Sequence, residues 1–256
     1  MELEKIRSDR TLAYVVPLVA FMVVGGVLQI VTGSVFDGYF REHEFLPWWR
    51  SYPAQWIYPL QTVVAAGLMI FWRRHYEFEW STWKVAVGAV MGAIGIGIWI
   101  LPTQAYEWMG MTEEPEGWLK WLGVLPRRDG FDPGVFESPA AWWTSTILRF
   151  VRAAVVVALV EEIFWRGFLM RFVLKPDGNY WKVPFGKASW LSYGVVTVAV
   201  VLIHTRPDWP AAFVWGTLVY GVAVWTRSLL ACVVMHGVAN FLMGWYALEF
   251  GKFGLW

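Results

Sequence analysis

The chain is short of charge, of cysteine and of histidine. Asp, Glu, Lys and Arg make up 16% of its 256 residues, against about 25% in an ordinary soluble domain. The formal net charge of +1 leaves no excess of basic residues for holding a phosphate backbone, which excludes a nucleic-acid partner. A single cysteine, Cys232, rules out an intramolecular disulfide and a thiolate-built structural metal site. The first apolar run lacks a small-residue cleavage site. The segment before it mixes Glu2, Glu4 and Asp9 with Lys5, Arg7 and Arg10, so the N-terminus does not read as a removable signal.

What the chain has in abundance is apolar and aromatic surface: 57% hydrophobic residues and 20 tryptophans. Indole rings gather where a membrane meets water, so this many argue for many membrane boundaries. Apolar runs of about 20 residues, the length that crosses a ~30 Å hydrocarbon layer, recur at Leu12–Val31, Pro53–Trp72, Val85–Leu101, Trp190–Ile203, Ala211–Trp225 and Leu229–Phe250. A longer helix is expected over Ala141–Leu174, of which only the middle needs to lie in lipid. The expected fold is all-α, a polytopic membrane helical bundle of about seven to eight spans around a membrane-embedded polar cavity. Residues 1–140 would hold the N-terminal spans and a long extramembrane loop from Pro102, and 141–256 the catalytic core of what is one membrane domain overall. Within the loop, Glu116–Leu122 is expected to form a surface helix with its tryptophans on the membrane. Gly88, Gly92 and Gly95 share a helix face, the pattern of close helix packing, before an expected stop at Pro102. The Lys and Arg of the short connections, Arg73, Arg74, Lys175, Lys182, Lys187 and Arg227 among them, outweigh Arg41, Arg50, Lys120, Arg127, Arg128, Arg206 and Lys252 on the other side, which favours a cytoplasmic N-terminus.

Charges inside apolar helices need a reason, since each costs roughly 2.5–3.5 kcal/mol on insertion scales. Glu161, Glu162 and Arg166 interrupt the run Val155–Arg171. Glu162 and Arg166, four apart, share a face and can pair, whereas Glu161 is turned about 100° away and has no local partner. His204 stands at a segment end before Pro207, and His236 with Asn240 falls on one face of the last span. A carboxylate and an imidazole can share the activation of a water, while a second imidazole and an amide can donate to a developing oxyanion. Plainer readings remain open for each: an interfacial His204, interhelical hydrogen bonding by His236 and Asn240, and a purely architectural Glu162–Arg166 pair. Arg149 and Arg152 are expected to snorkel to an interface. His43 and His75 read as surface residues, and Cys232 as inert packing rather than a nucleophile. At the level of function, a zinc protease using His204, His236 and a glutamate, a proton-coupled carrier and a non-catalytic immunity or scaffold protein stay open beside a metal-free hydrolase.

The series Glu161-Glu162-Ile163-Phe164-Trp165-Arg166, then His204, then His236-Gly237-Val238-Ala239-Asn240 resembles the CAAX prenyl protease and bacteriocin-processing superfamily of intramembrane glutamic endopeptidases, which includes the Rce1-type CAAX proteases. Its second motif usually has Phe four residues before the histidine, and here Val200 stands in that place. The resemblance implies that Glu161 and His204 activate water, that His236 and Asn240 form the oxyanion site, and that Glu162 and Arg166 support them. It implies no cofactor and no metal, and a membrane-associated polypeptide as substrate. Phe131-Asp132-Pro133-Gly134, Phe164-Trp165-Arg166-Gly167-Phe168 and Val183-Pro184-Phe185-Gly186 resemble the exosortase-associated prokaryotic subgroup, which implies a sorting-tagged substrate and a prokaryotic inner membrane.

Overall fold

The computed structural model describes residues 2–32 and 54–256, with side chains over 3–26 and 56–256. His43, Arg41 and Arg50 lie outside the described residues. Helices account for the regular structure, and no strand occurs among the described residues. The chain packs as two units, one of residues 1–76 with 133–160, the other of 77–132 with 161–256.

In the first unit, α1 (Glu2–Ser8) and α2 (Arg10–Thr32) meet at Asp9. Its carboxylate caps α2, accepting from the Thr11 and Leu12 amides at 2.8 and 3.0 Å, as an N-terminal Asp does for otherwise unpaired amides. Helix α2 packs against α3 (Ala54–Phe71). Pro17 lies inside α2 and brings no N–H to the carbonyl one turn back. The freed carbonyl of Ala13 accepts instead from the Tyr76 hydroxyl at 2.8 Å. The turn after α3 is fastened to α1 from the side chains outward. Trp72 Nε1 donates to the Ile6 carbonyl at 3.1 Å and His75 Nε2 to that of Arg7 at 2.8 Å. His75, expected as a plain surface residue, is therefore a fastening of the N-terminus.

In the second unit, α4 (Thr82–Trp108) and α9 (Leu229–Phe250) are the two described helices long and apolar enough to cross a membrane by length and composition. They run parallel, Gly88 against Ala231 and Gly92 against Met235. A Cβ at either glycine would come within 2.3 or 2.4 Å of the opposing carbonyl oxygen, so the glycine stripe sets the interhelical distance, as its spacing predicts. Helix α4 does not stop at Pro102 but continues through it to Trp108. A proline only removes one amide bond, which a packed membrane helix tolerates. The loop therefore starts later than expected, and its surface helix is the single turn α5, Trp118–Trp121, with both tryptophans exposed.

Residues 139–172 form α6, close to the expected range. It is not uniform: α-helical Pro139–Phe150 and Ala158–Glu162 alternate with π-helical Val151–Val157 and Ile163–Leu169 before a last turn, Met170–Phe172. The passage from the first unit to the second falls after Val160. Arg149 and Arg152 do not snorkel. Arg149 is buried with its guanidinium 4.8 Å from the Tyr58 ring centroid, while Arg152 stands 4.1 Å over the same ring and donates to Gln61 Oε1 at 3.2 Å. The aromatic face and the amide give the charges an interior partner, which removes the need to reach an interface.

Helices α7 (Trp190–Leu202) and α8 (Trp209–Thr226) complete the second unit. Trp215 of α8 packs on Gly95 of α4. Trp83 and Trp108 at the ends of α4, Trp190 at the start of α7 and Trp225 at the end of α8 are exposed, the placement of an aromatic belt.

Candidate active site

The site is built on the second half of α6. Glu162 is fully buried, and its Oε1 accepts from Arg166 Nη1 at 3.1 Å, the pairing that a spacing of four predicts. The same oxygen accepts from His236 Nδ1 at 2.8 Å. Glu162 is therefore shared between the arginine of its own helix and the imidazole of α9, a contact between residues 74 apart in sequence that periodicity cannot reveal. A buried charge needs such company: removing one member of a buried ion pair costs about 3–5 kcal/mol because the other is left alone.

The π-helical segment Ile163–Leu169 carries Arg166 of this arrangement. A π-turn takes carbonyls out of the regular ladder and recurs at functional sites. Here Arg171 Nε donates to the Gly167 carbonyl at 2.6 Å, and Arg166 stays buried within the π segment. Glu162 Oε2, Arg166 Nε and Nη2 and the Trp165 indole N–H are buried with no hydrogen-bond partner among the described residues. The cluster thus keeps polar capacity beyond what its own members consume, which in a native interior calls for an explanation.

Glu161, the preceding residue on the helix, is half-buried. The His236 ring is set by Glu162 on one nitrogen and by the edge of Trp215, 5.5 Å between ring centres. Since a carboxylate oxygen can only accept, Nδ1 carries the proton and Nε2 is left for chemistry. Asn240 follows one turn later on α9, half-buried and on the same face.

His204 stands beyond the last turn of α7. Its Nδ1 donates to the Val200 carbonyl at 2.7 Å, which leaves the lone pair on Nε2. Val200, in the place where a phenylalanine is expected, thus contributes its backbone. The aromatic neighbour comes from elsewhere: Trp99 of α4 lies 5.3 Å from the imidazole, centre to centre. His236 follows Met235, which packs on Gly92 of α4, whereas Trp99, the neighbour of His204, stands seven residues further along that helix, about 10 Å. Sequence reasoning missed Trp99 and Trp215, which look like any other tryptophans of the chain.

Cys232 is fully buried one turn before His236. No three of His, Cys, Asp and Glu come together as metal ligands among the described residues.

Residues 142–242 match the family described as type II CAAX prenyl endopeptidase, Rce1-like. This stretch is similar to an Rce1-like domain. The matched segment contains Glu161, Glu162, Arg166, His204, His236 and Asn240. No curated protein and no solved structure matches the chain. The match and the apolar helices support a helical membrane protein, and the printed description of the matched family is that of an endopeptidase.

Proposed function

We propose that the protein is an intramembrane endopeptidase of the glutamic type, which hydrolyses a peptide bond of a membrane-anchored or sorting-tagged polypeptide with neither a metal nor a covalent intermediate. The observation that carries the reading is the 2.8 Å contact of Glu162 with His236, which joins the first and last elements of the Glu-Glu…His…His-x-x-x-Asn series and leaves Glu161 at the half-buried edge.

Glu161, with Nε2 of His204, takes a proton from a water. The hydroxide oxygen bonds to the peptide carbonyl carbon, and the carbonyl π pair moves onto oxygen as an oxyanion. His236, as an imidazolium whose Nδ1–H is held by Glu162, donates from Nε2–H, and the Asn240 amide donates beside it to that oxyanion, the stabilisation that contributes most in acyl transfer. On collapse the C=O re-forms, the C–N bond breaks, and the proton held by Glu161 passes to the departing nitrogen. Glu162 and Arg166 hold His236 and do not exchange protons with substrate.

About seven to eight spans, an N-terminus on the cytoplasmic side and a prokaryotic inner membrane complete the proposal. The exposed tryptophans at helix ends support the spans. The test is co-expression with candidate membrane-anchored substrates, wild type against Glu161→Gln. Loss of cleavage in a folded, membrane-inserted Glu161→Gln protein is the expected result, and cleavage at the wild-type rate sinks the mechanism. Bound zinc in the purified, active protein would favour the metalloprotease instead, and solute transport without hydrolysis in proteoliposomes a carrier.

A further inference from the structure

His204 is the one member of the proposed set that no helix holds. It lies between α7 and α8, on a turn whose shape is set by short-range bonds. Asp208 N–H donates to the Thr205 carbonyl at 2.9 Å, the Thr205 hydroxyl donates to Asp208 Oδ2 at 2.6 Å, and Trp209 Nε1 donates to the carbonyl of His204 itself at 3.0 Å. A turn of this kind keeps its place only if something holds it from outside.

Residues 121–127 of the extramembrane segment do so at three points. Arg206 lies over the Trp121 ring, 5.6 Å to its centre. Gly123, at φ +79, lets the backbone press on Pro207 so closely that a Cβ would stand 2.5 Å from its carbonyl oxygen. Arg127 Nη2 donates to Asp208 Oδ1 across a pair of side chains only 13% and 15% exposed. Arg127 adopts φ +51, a left-handed conformation that is unfavourable for a non-glycine residue. It is also the residue whose carbonyl accepts the Gly254 amide at 3.0 Å. Residues 252–256 are fixed in turn by the Lys252–Glu107 ion pair and by Trp256 against Phe131, with ring centres 6.5 Å apart. Strain held in place by surrounding contacts is a mark of functional geometry.

We propose that Arg127 and Asp208 are positioning residues for His204. Their ion pair, braced by residues 252–256, fixes the 205–208 turn and with it the reach of the imidazole Nε2 toward the reacting water. The inference rests on the catalytic reading of His204 given above, and its test separates the two.

Histidines of the full-length protein in nanodiscs are labelled with 15N and read by long-range proton–nitrogen correlation. The chain has 4 histidines, and His204→Gln assigns the signals of His204. In the wild type these signals report the Nδ1–H tautomer. Arg127→Gln and Asp208→Asn each shift or broaden the His204 pattern, leave that of His236 in place, and raise the rate at which diethyl pyrocarbonate modifies His204. Arg127→Lys, which keeps the charge, restores the wild-type pattern at least in part. On a cleavable substrate, kcat falls about tenfold with KM little changed, the response to a misplaced group rather than a lost binding contact. Unmoved His204 signals in both variants overturn the proposal, as does an equal shift of His204 and His236, which would mean general loosening. If His204→Gln cleaves as wild type, the catalytic reading fails while the spectroscopic result still decides the brace. Should Asp208→Asn not fold, Arg127→Gln and Arg127→Lys carry the comparison.

Discussion

Helix α6 buries arginines in two places, and it treats them differently. Arg149 and Arg152 are laid over the Tyr58 ring, with Gln61 accepting from Arg152. Arg166 is paired to Glu162, which is in turn bound to His236. The first arrangement draws on a ring quadrupole and an amide. The second joins a guanidinium, a carboxylate and an imidazole, and it retains buried polar atoms of Glu162, Arg166 and Trp165 with no partner among the described residues. A buried charge is therefore no mark of a site by itself. Its partners decide, and the difference can be tested on both sides of α6.

Glu162→Ala strikes the comparison hardest. It leaves Arg166 and His236 buried without their shared acceptor, for a loss of about 3–5 kcal/mol. The expected outcome is a large fall in the thermal midpoint in detergent together with loss of cleavage. Next comes Glu161→Gln, whose neighbour on the chain behaves in the opposite way: cleavage drops by about 10²–10⁴ while the thermal midpoint stays near that of the wild type, because Glu161 is only half-buried. If the two substitutions lowered stability alike, the division between a holding and a reacting carboxylate would be lost.

Much of this frame can be read in the sequence because lipid imposes simple rules. The bounds of α9 coincide with the apolar run Leu229–Phe250, and the face shared by Gly88, Gly92 and Gly95 is the one pressed on Ala231, Met235 and Trp215. The Glu162–Arg166 pair follows from local spacing in the same way. What escaped was everything set by a distant element. The bond from His236 to Glu162 depends on how α9 meets α6, and the inward turn of Arg149 and Arg152 depends on Tyr58 of another helix. The π-turns escaped for a different reason: one extra residue in a turn leaves no mark in hydrophobic periodicity. Pro102 misleads because breaking a helix is its habit in water, and inside a packed membrane unit the helix runs on.

Gly92→Ala probes the second unit through its scaffold. Its new methyl would collide with the Met235 carbonyl, 2.4 Å away, and push α4 from α9 beside His236. Overpacking of this kind costs about 1–3 kcal/mol. Both the thermal midpoint and cleavage should fall, the latter because His236 moves with its helix. Gly97→Ala, which meets nothing within 4 Å, is the matched control on the same helix and should leave both unchanged.

The smallest effect is expected where the first unit is altered at Tyr58. Tyr58→Leu removes the aromatic face under Arg149 and Arg152 and keeps an apolar side chain of similar bulk. The loss is that of the cation–π contacts, about 0.5–2 kcal/mol each depending on how dry the site is, while Tyr58→Phe keeps the ring and should lose less. Each variant is compared with wild type for thermal midpoint and for cleavage of the same substrate. A lowered midpoint with cleavage per folded molecule unchanged fits charges that only hold the helices. A fall in cleavage matching that of Glu161→Gln, at an unchanged midpoint, would move Arg149 and Arg152 from the scaffold to the chemistry and erase the distinction between the two halves of α6.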